Sequence, residues 1–161
     1  MLTPVKASAK QRGGTKGTFA IVASKYNSRY VDAMLRAAQA ELKRARVGRV
    51  QIVRVPGAFE IPVVASRLAS SAGDASDLRA VICLGVILRG QTTHAEHIGD
   101  AVSRALMEIQ ISTFVPVIHE VLLLENEGQA RVRCLGKKHN RGTEAAQTAL
   151  AMAQVMAGLE K

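Results

Sequence analysis

The chain reads as a three-layer α/β sandwich, a four-stranded parallel sheet with helices on both faces. Three observations predict it. Short apolar runs alternate with stretches of helical period, in the order β-α-β-α-β-α-β-α-α. The run "LRAVICLGVIL" (78–88) is apolar on both faces, as a central parallel strand is. A stretch of helical period stands between each strand and the next, which suits right-handed crossovers. Together these make a flavodoxin-like topology the simplest one for this order.

The elements follow in turn. "TFAIVAS" (18–24) is a short buried strand. Residues 29–46 place Val31, Met34, Leu35, Ala38, Leu42 and Ala45 at helical spacing, and Gly48 is read as the stop. "RVQIVRV" (49–55) is the second strand, ended by Pro56-Gly57. A helix from about Phe59 to Ser71 tolerates Pro62 in its first turn. "SAGDASD" (71–77) is a polar loop before the third strand. From Thr93 the period is helical again, through Ile98, Ala101, Val102, Ala105, Leu106 and Ile109. "VPVIHEVLL" (115–123) is the fourth strand, and a short helix starts near Asn126. "GKKHNRG" (136–142) is a basic loop. The last helix, about Thr143 to Ala157, is apolar nearly all round, so it must be covered on more than one side. A neighbouring subunit is a natural cover in a chain this small.

Length and composition narrow the class. The chain's 161 residues suit a single domain, 18–161, behind a flexible basic tail, 1–17. No apolar run approaches the roughly 20 residues that cross a bilayer, and the start has no apolar signal core. No membrane role and a cytoplasmic location are expected. Cys83 and Cys134 supply neither a disulfide framework nor metal spacing. The net charge of +9 raises the question of nucleic acid. Four of those charges, Lys6, Lys10, Arg12 and Lys16, fall in the tail, and aromatic residues are only 3 %, too few for base stacking. No nucleic-acid partner is expected. Anionic small substrates suit the remaining charge.

In such folds ligands bind beyond the carboxyl ends of the strands. Four loops therefore matter: 24–28, 56–60, 89–94 and 119–126. In "RGQTTHAEH" (89–97), Thr93 and Glu96 have the spacing of a capping box, which leaves backbone N–H groups near Gly90 facing outward as an anion site. His94 would stand beside a bound anion. A capped turn with an exposed histidine fits the spacing equally. His94 and His97 are three apart, but no further ligand stands at metal spacing, so no metal is expected and His97 reads as an ordinary helix residue. In "PGAFEIP" (56–62), Glu60 either caps the helix or accepts substrate hydroxyls. Tyr26 in "SKYN" either stacks on a planar ring or packs over the sheet edge. "RVRCLGKKHNRG" (131–142) by itself is a solvated charge run.

"PGAFEIP", "LGVILRGQTTH", "VPVI" and "ENEGQA" with a K-x-x-N-R-G ending, in this order, resemble the 6,7-dimethyl-8-ribityllumazine synthase family over about Phe19 to Met156. The resemblance implies the penultimate step of riboflavin biosynthesis. 5-Amino-6-(D-ribitylamino)uracil condenses with 3,4-dihydroxy-2-butanone 4-phosphate, phosphate and water leave, and no cofactor is needed. It also implies two small-molecule substrates and sites between neighbouring subunits of a pentamer, twelve of which form a 60-mer shell in some members.

By the same resemblance His94 is the catalytic histidine. Tyr26 stands where phenylalanine or tryptophan is usual and stacks on the pyrimidine. Ala58, Phe59 and Glu60 occupy the ribityl-binding positions, and Ile87 and Leu88 present backbone to the uracil. Gln91 and Thr92 match the phosphate turn, and Arg133 matches an arginine that grips phosphate from the adjacent subunit. Arg141 stands where a lysine is usual, near Glu144, and both are carried over as substrate-binding. One departure stands out. Where the related pattern reads "PVIFG", this chain reads "PVIHE", with His119 and Glu120. His119 either packs over a neighbour's substrate as a planar ring or adds a second titratable group, and Glu120 is expected on the opposite strand face. The departure keeps open a catalytically weak homologue that binds a flavin-like ligand or mainly builds a shell.

Overall fold

A computed structural model of the chain describes residues 16–72 and 77–160. Most of the basic tail and the middle of the 71–77 loop lie outside the described residues. Four parallel strands form one sheet in the order β2-β1-β3-β4, with β1 Thr18–Ser24, β2 Arg49–Val55, β3 Leu78–Leu88 and β4 Val117–Leu124. This is the flavodoxin-like order expected for the element sequence. β1 and β3 are central and almost wholly buried, whereas β2 at one edge is exposed or half-buried until Val55, which is buried.

Side-chain alternation along the strands divides the core in two. Phe19, Ile21, Ile82 and Leu84 pack against α1 (Ser28–Arg44) and α5 (Arg141–Leu159). Ala20, Val22, Val81 and Cys83 pack against α2 (Ile61–Ser70) and α3 (His94–Thr113). A short α4 (Glu127–Ala130) and a π-helical turn, Arg131–Leu135, join β4 to α5. Gly142 lets α5 lie directly on α1: a Cβ there would stand 2.0 Å from the Met34 carbonyl oxygen. Cys83 and Cys134 are buried and unpaired, and burial pushes the Cys134 thiol up to about 11.

Several boundaries differ from expectation for local reasons. α1 ends at Arg44, and the left-handed position after it is taken by Arg46 (φ 55°), not by Gly48. Gly48 instead lies against Gly17, where a Cβ would be 3.0 Å from the Gly17 oxygen. α2 is preceded by a 3-10 turn, Ala58–Glu60, so the α-helix starts at Ile61. β4 begins at Val117, because Pro116 has no N–H for the ladder and offers only its carbonyl, to Val81 N–H. α5 starts two residues early, since the Asn140 side chain accepts from Gly142 N–H (2.9 Å) and caps it. α5 buries Ala145, Ala146, Ala149, Leu150 and Ala153, and leaves Val155 and Leu159 exposed.

Candidate active site

Three of the four loops converge at the carboxyl ends of the strands. The 25–27 loop is fixed on two sides. Lys25 N–H and Tyr26 N–H donate to the Val55 and Pro56 carbonyls at 2.8 and 3.0 Å. Asn27, in the left-handed region (φ 54°), donates Nδ2–H to the Val86 carbonyl at 2.7 Å. Arg54 ties the same end of β1 to α1, donating to the Ala23 and Ser24 carbonyls and pairing with Asp32 at 2.7 Å. The backbone is thus held while the Tyr26 ring stays 73 % exposed. The sheet-edge packing that was the alternative for Tyr26 is not formed.

Across β1, Pro56-Gly57 turns the chain into the 3-10 turn. Glu60 Oε2 accepts Gly57 N–H at 2.9 Å, and a Cβ on residue 57 would sit 2.9 Å from that oxygen. Glu60 therefore does cap, with one oxygen; its Oε1 has no hydrogen bond among the described residues. The neighbouring Phe59 ring is 61 % exposed. An exposed aromatic ring costs burial energy unless a ligand or partner covers it, and here two such rings flank one cleft.

That cleft, of about 950 Å³, is lined by Tyr26, Ala58, Phe59, Glu60, Ile87, Leu88, Thr92 and His94, all singled out from the sequence. Asn27, Gly57, Val86, Gly90, Ala95, His97, Ile98 and Ala101 complete it. His97 is a helix residue, as expected, but it faces the cleft, because α3 turns His94, His97 and Ala101 to one side. The i, i+3 spacing to His94 was the signal for it. No group of three or more His, Cys, Asp or Glu side chains suited to a metal ion occurs among the described residues.

The expected capping box at the start of α3 does not form. Thr93 makes no side-chain cap, and its Oγ1 lies 3.3 Å from His97 Nε2. Glu96 is drawn away by Arg89, which also grips both oxygens of Glu125 at 2.9 and 3.1 Å. A charge-assisted pair outcompetes a neutral N–H for the carboxylate. The fourth loop thus reaches the site through Glu125 and Arg89, which hold the start of the 89–93 turn. Gly90, Thr92 and His94 still border the cleft at the positive end of a 20-residue helix.

The other sequence candidates lie elsewhere in the protomer. Gln91 is exposed in the turn but does not line the cleft. Nor does His119. Ser103 Oγ–H donates to the Gly99 carbonyl (2.7 Å), so His119 Nε2–H donates to Ser103 Oγ (2.8 Å), and His119 Nδ1 accepts Val121 N–H (3.3 Å). This pattern holds a neutral imidazole, and burial lowers its pKa further in the same direction. Glu120 does face the opposite side, 6 % exposed, and Arg141 donates Nε–H and NH2 to its two oxygens at 3.0 and 2.9 Å. Arg141 also donates to Glu144 Oε2 at 2.6 Å. Arg141, carried over as substrate-binding together with Glu144, is therefore engaged with both Glu120 and Glu144 inside its own protomer. Burial pushes the Glu120 carboxyl up to about 7, against the pull of Arg141. Arg133 is exposed on the π-helical turn and forms no ion pair among the described residues.

Comparison with known proteins places this geometry. The family model described as 6,7-dimethyl-8-ribityllumazine synthase matches residues 16–157. Curated relatives carry the same name. One from Xanthomonas euvesicatoria pv. vesicatoria is 38% identical over 144 residues, 88% of this chain and 91% of the relative. One from Xanthomonas campestris pv. campestris is 39% identical over the same shares, and one from Stenotrophomonas maltophilia is 37% identical over 86% and 88%.

Proposed function

Since the chain belongs to the 6,7-dimethyl-8-ribityllumazine synthase family, we propose that it condenses 5-amino-6-(D-ribitylamino)uracil with 3,4-dihydroxy-2-butanone 4-phosphate. The products are 6,7-dimethyl-8-ribityllumazine, phosphate and water, in the penultimate step of riboflavin biosynthesis. The observation that carries this reading is the cleft itself. Residues from three separate loops that the resemblance assigns to the aminouracil, the ribityl chain, the phosphate turn and the proton carrier line a single cavity.

Each chemical type has a task there. The amine of one substrate adds to the ketone of the other, the carbinolamine loses water, phosphate leaves and the ring closes. Tyr26 and Phe59 offer faces to planar and apolar parts of the substrates. Glu60 Oε1 is open to ribityl hydroxyls, while Oε2 stays on Gly57. Thr92 and the α3 N-terminus favour the phosphate, with Gln91 in the same turn. His94 stands beside it to carry protons in both directions. Much of the acceleration comes from holding two reactive molecules in one cleft.

Arg133 and His119 lie outside the protomer's cleft, which suits delivery to a neighbour's site in a homo-oligomer. A pentamer, alone or assembled as a 60-mer, with active sites between subunits is part of this proposal. So are a single domain over 18–161, a cytoplasmic setting and the absence of any cofactor. Exposed Phe114, Ile111, Met107 and Val132 supply apolar surface for such contacts. Mixing purified protein with both substrates and following lumazine absorbance tests the activity. Product formation no faster than the uncatalysed reaction removes the enzyme reading and leaves the weak, ligand-binding or shell-forming homologue. Sedimentation separates pentamer from 60-mer.

A further inference from the structure

The connection from β4 to α5, residues 125–140, is held at its start, where Arg89 grips Glu125, and again at its far end. Glu120 on β4 takes Arg141, the first residue of α5, through two parallel hydrogen bonds. The adjacent Asn140 donates Nδ2–H to the Cys134 carbonyl at 2.6 Å. Cys134 itself is fully buried, so its neighbour Arg133 springs from an anchored backbone. A guanidinium can make the two-pronged grip on Glu120, and an ammonium cannot. Arg141 and Glu120 therefore fit one another across 21 positions of the chain.

The charges at this point matter too. One guanidinium faces two carboxylates, Glu120 and Glu144, so an approaching phosphate meets no net positive charge there. Arg133 makes no ion pair among the described residues, though its charge is felt at Glu120. Resting on the synthase reading, we infer that Glu120 is a positioning residue. It withdraws Arg141 from ligand duty and fixes the connection that presents Arg133 to the phosphorylated substrate.

The test compares wild type, Glu120→Gln, Arg141→Gln and the double variant at pH 8. Turnover is measured with the butanone phosphate varied, and with inorganic phosphate as competing anion. Each single variant is expected to raise KM for the phosphorylated substrate and the inhibition constant of phosphate about fivefold, with kcat within about twofold. The double variant is expected to be no worse than the weaker single, because both remove the same contact. Losses that multiply in the double variant overturn the proposal. So does a raised KM in Arg141→Gln alone, which would make Arg141 a direct ligand. Amide exchange over residues 131–140 gives a readout that needs no turnover. Exchange about tenfold faster in Glu120→Gln supports the clamp, and unchanged exchange overturns it. Wild type with no activity would defeat the synthase reading instead, and leave the exchange result to decide the clamp.

Discussion

The two faces of the sheet handle polar groups in opposite ways. On the α2/α3 side, the loop backbones are pinned while several side chains that line the cleft stay unmatched. Tyr26 and Phe59 are exposed, Glu60 keeps one oxygen open, and His94 and His97 border the same cleft. On the α1/α5 side, Glu120, Arg141 and Glu144 satisfy each other, and Gly142 closes the helix pair to backbone contact. The first face gives up burial energy to remain ready for a ligand. The second pairs its charges with one another. Substitutions should therefore separate: those at the cleft spare stability, and those on the α1/α5 face cost stability and leave kcat nearly unchanged.

The largest effect is expected at Gly142. A methyl group there meets the Met34 carbonyl oxygen at 2.0 Å, which no side-chain adjustment relieves. Gly142→Ala should cost roughly 3 kcal/mol or more and lower Tm by about 10 °C in a calorimetric scan. A Tm within a degree of wild type would break the account of that face.

Glu120 comes next, with a sign fixed by linkage. Its folded pKa, about 7, lies above the ordinary 4.5. The folded protein therefore binds the proton more tightly, and the associated stability is full below about 4.5 and lost as pH rises through about 7. Wild-type stability minus that of Glu120→Gln should fall by up to about 3 kcal/mol between pH 4 and pH 8, read from urea titrations at each pH. A flat difference would mean that Arg141 cancels the burial penalty fully.

On the cleft face His94→Ala should leave Tm unchanged and lower kcat by about 10- to 100-fold, a partial loss because positioning of the two substrates survives. Complete loss of activity with substrate binding intact would contradict that division. Tyr26→Ala should be the mildest. An exposed ring supports no core, so stability is unaffected, while loss of stacking raises KM for the aminouracil about fivefold. A drop in stability of similar size would show that Tyr26 belongs to the packed face after all.

How much of this was legible depended on range. The strands, and the loops that meet at their carboxyl ends, follow from apolar runs and crossover handedness. So the cleft residues Tyr26, Ala58 to Glu60, Ile87, Leu88, Thr92 and His94 could be named from motifs and resemblance. Local spacing also invited a capping box at Thr93 and Glu96, and that failed. Arg89 stands between Glu96 and Glu125, and Glu125 arrives only when β4 pairs beside β3. A spacing rule sees four residues and not the cation that competes for one of them.

The sequence by itself determined what is governed by pattern: four strands, five helices, and the chemical types gathered at one sheet edge. Periodicity and turn chemistry act over a few residues, and the sequence holds those few residues together. The tertiary structure alone decided which charges meet. It turned His97 to the cleft, matched Arg141 to Glu120 and gave Arg133 no ion pair among the described residues. Ionic partners are chosen by distance and burial, and those exist only once strands far apart in the chain lie side by side.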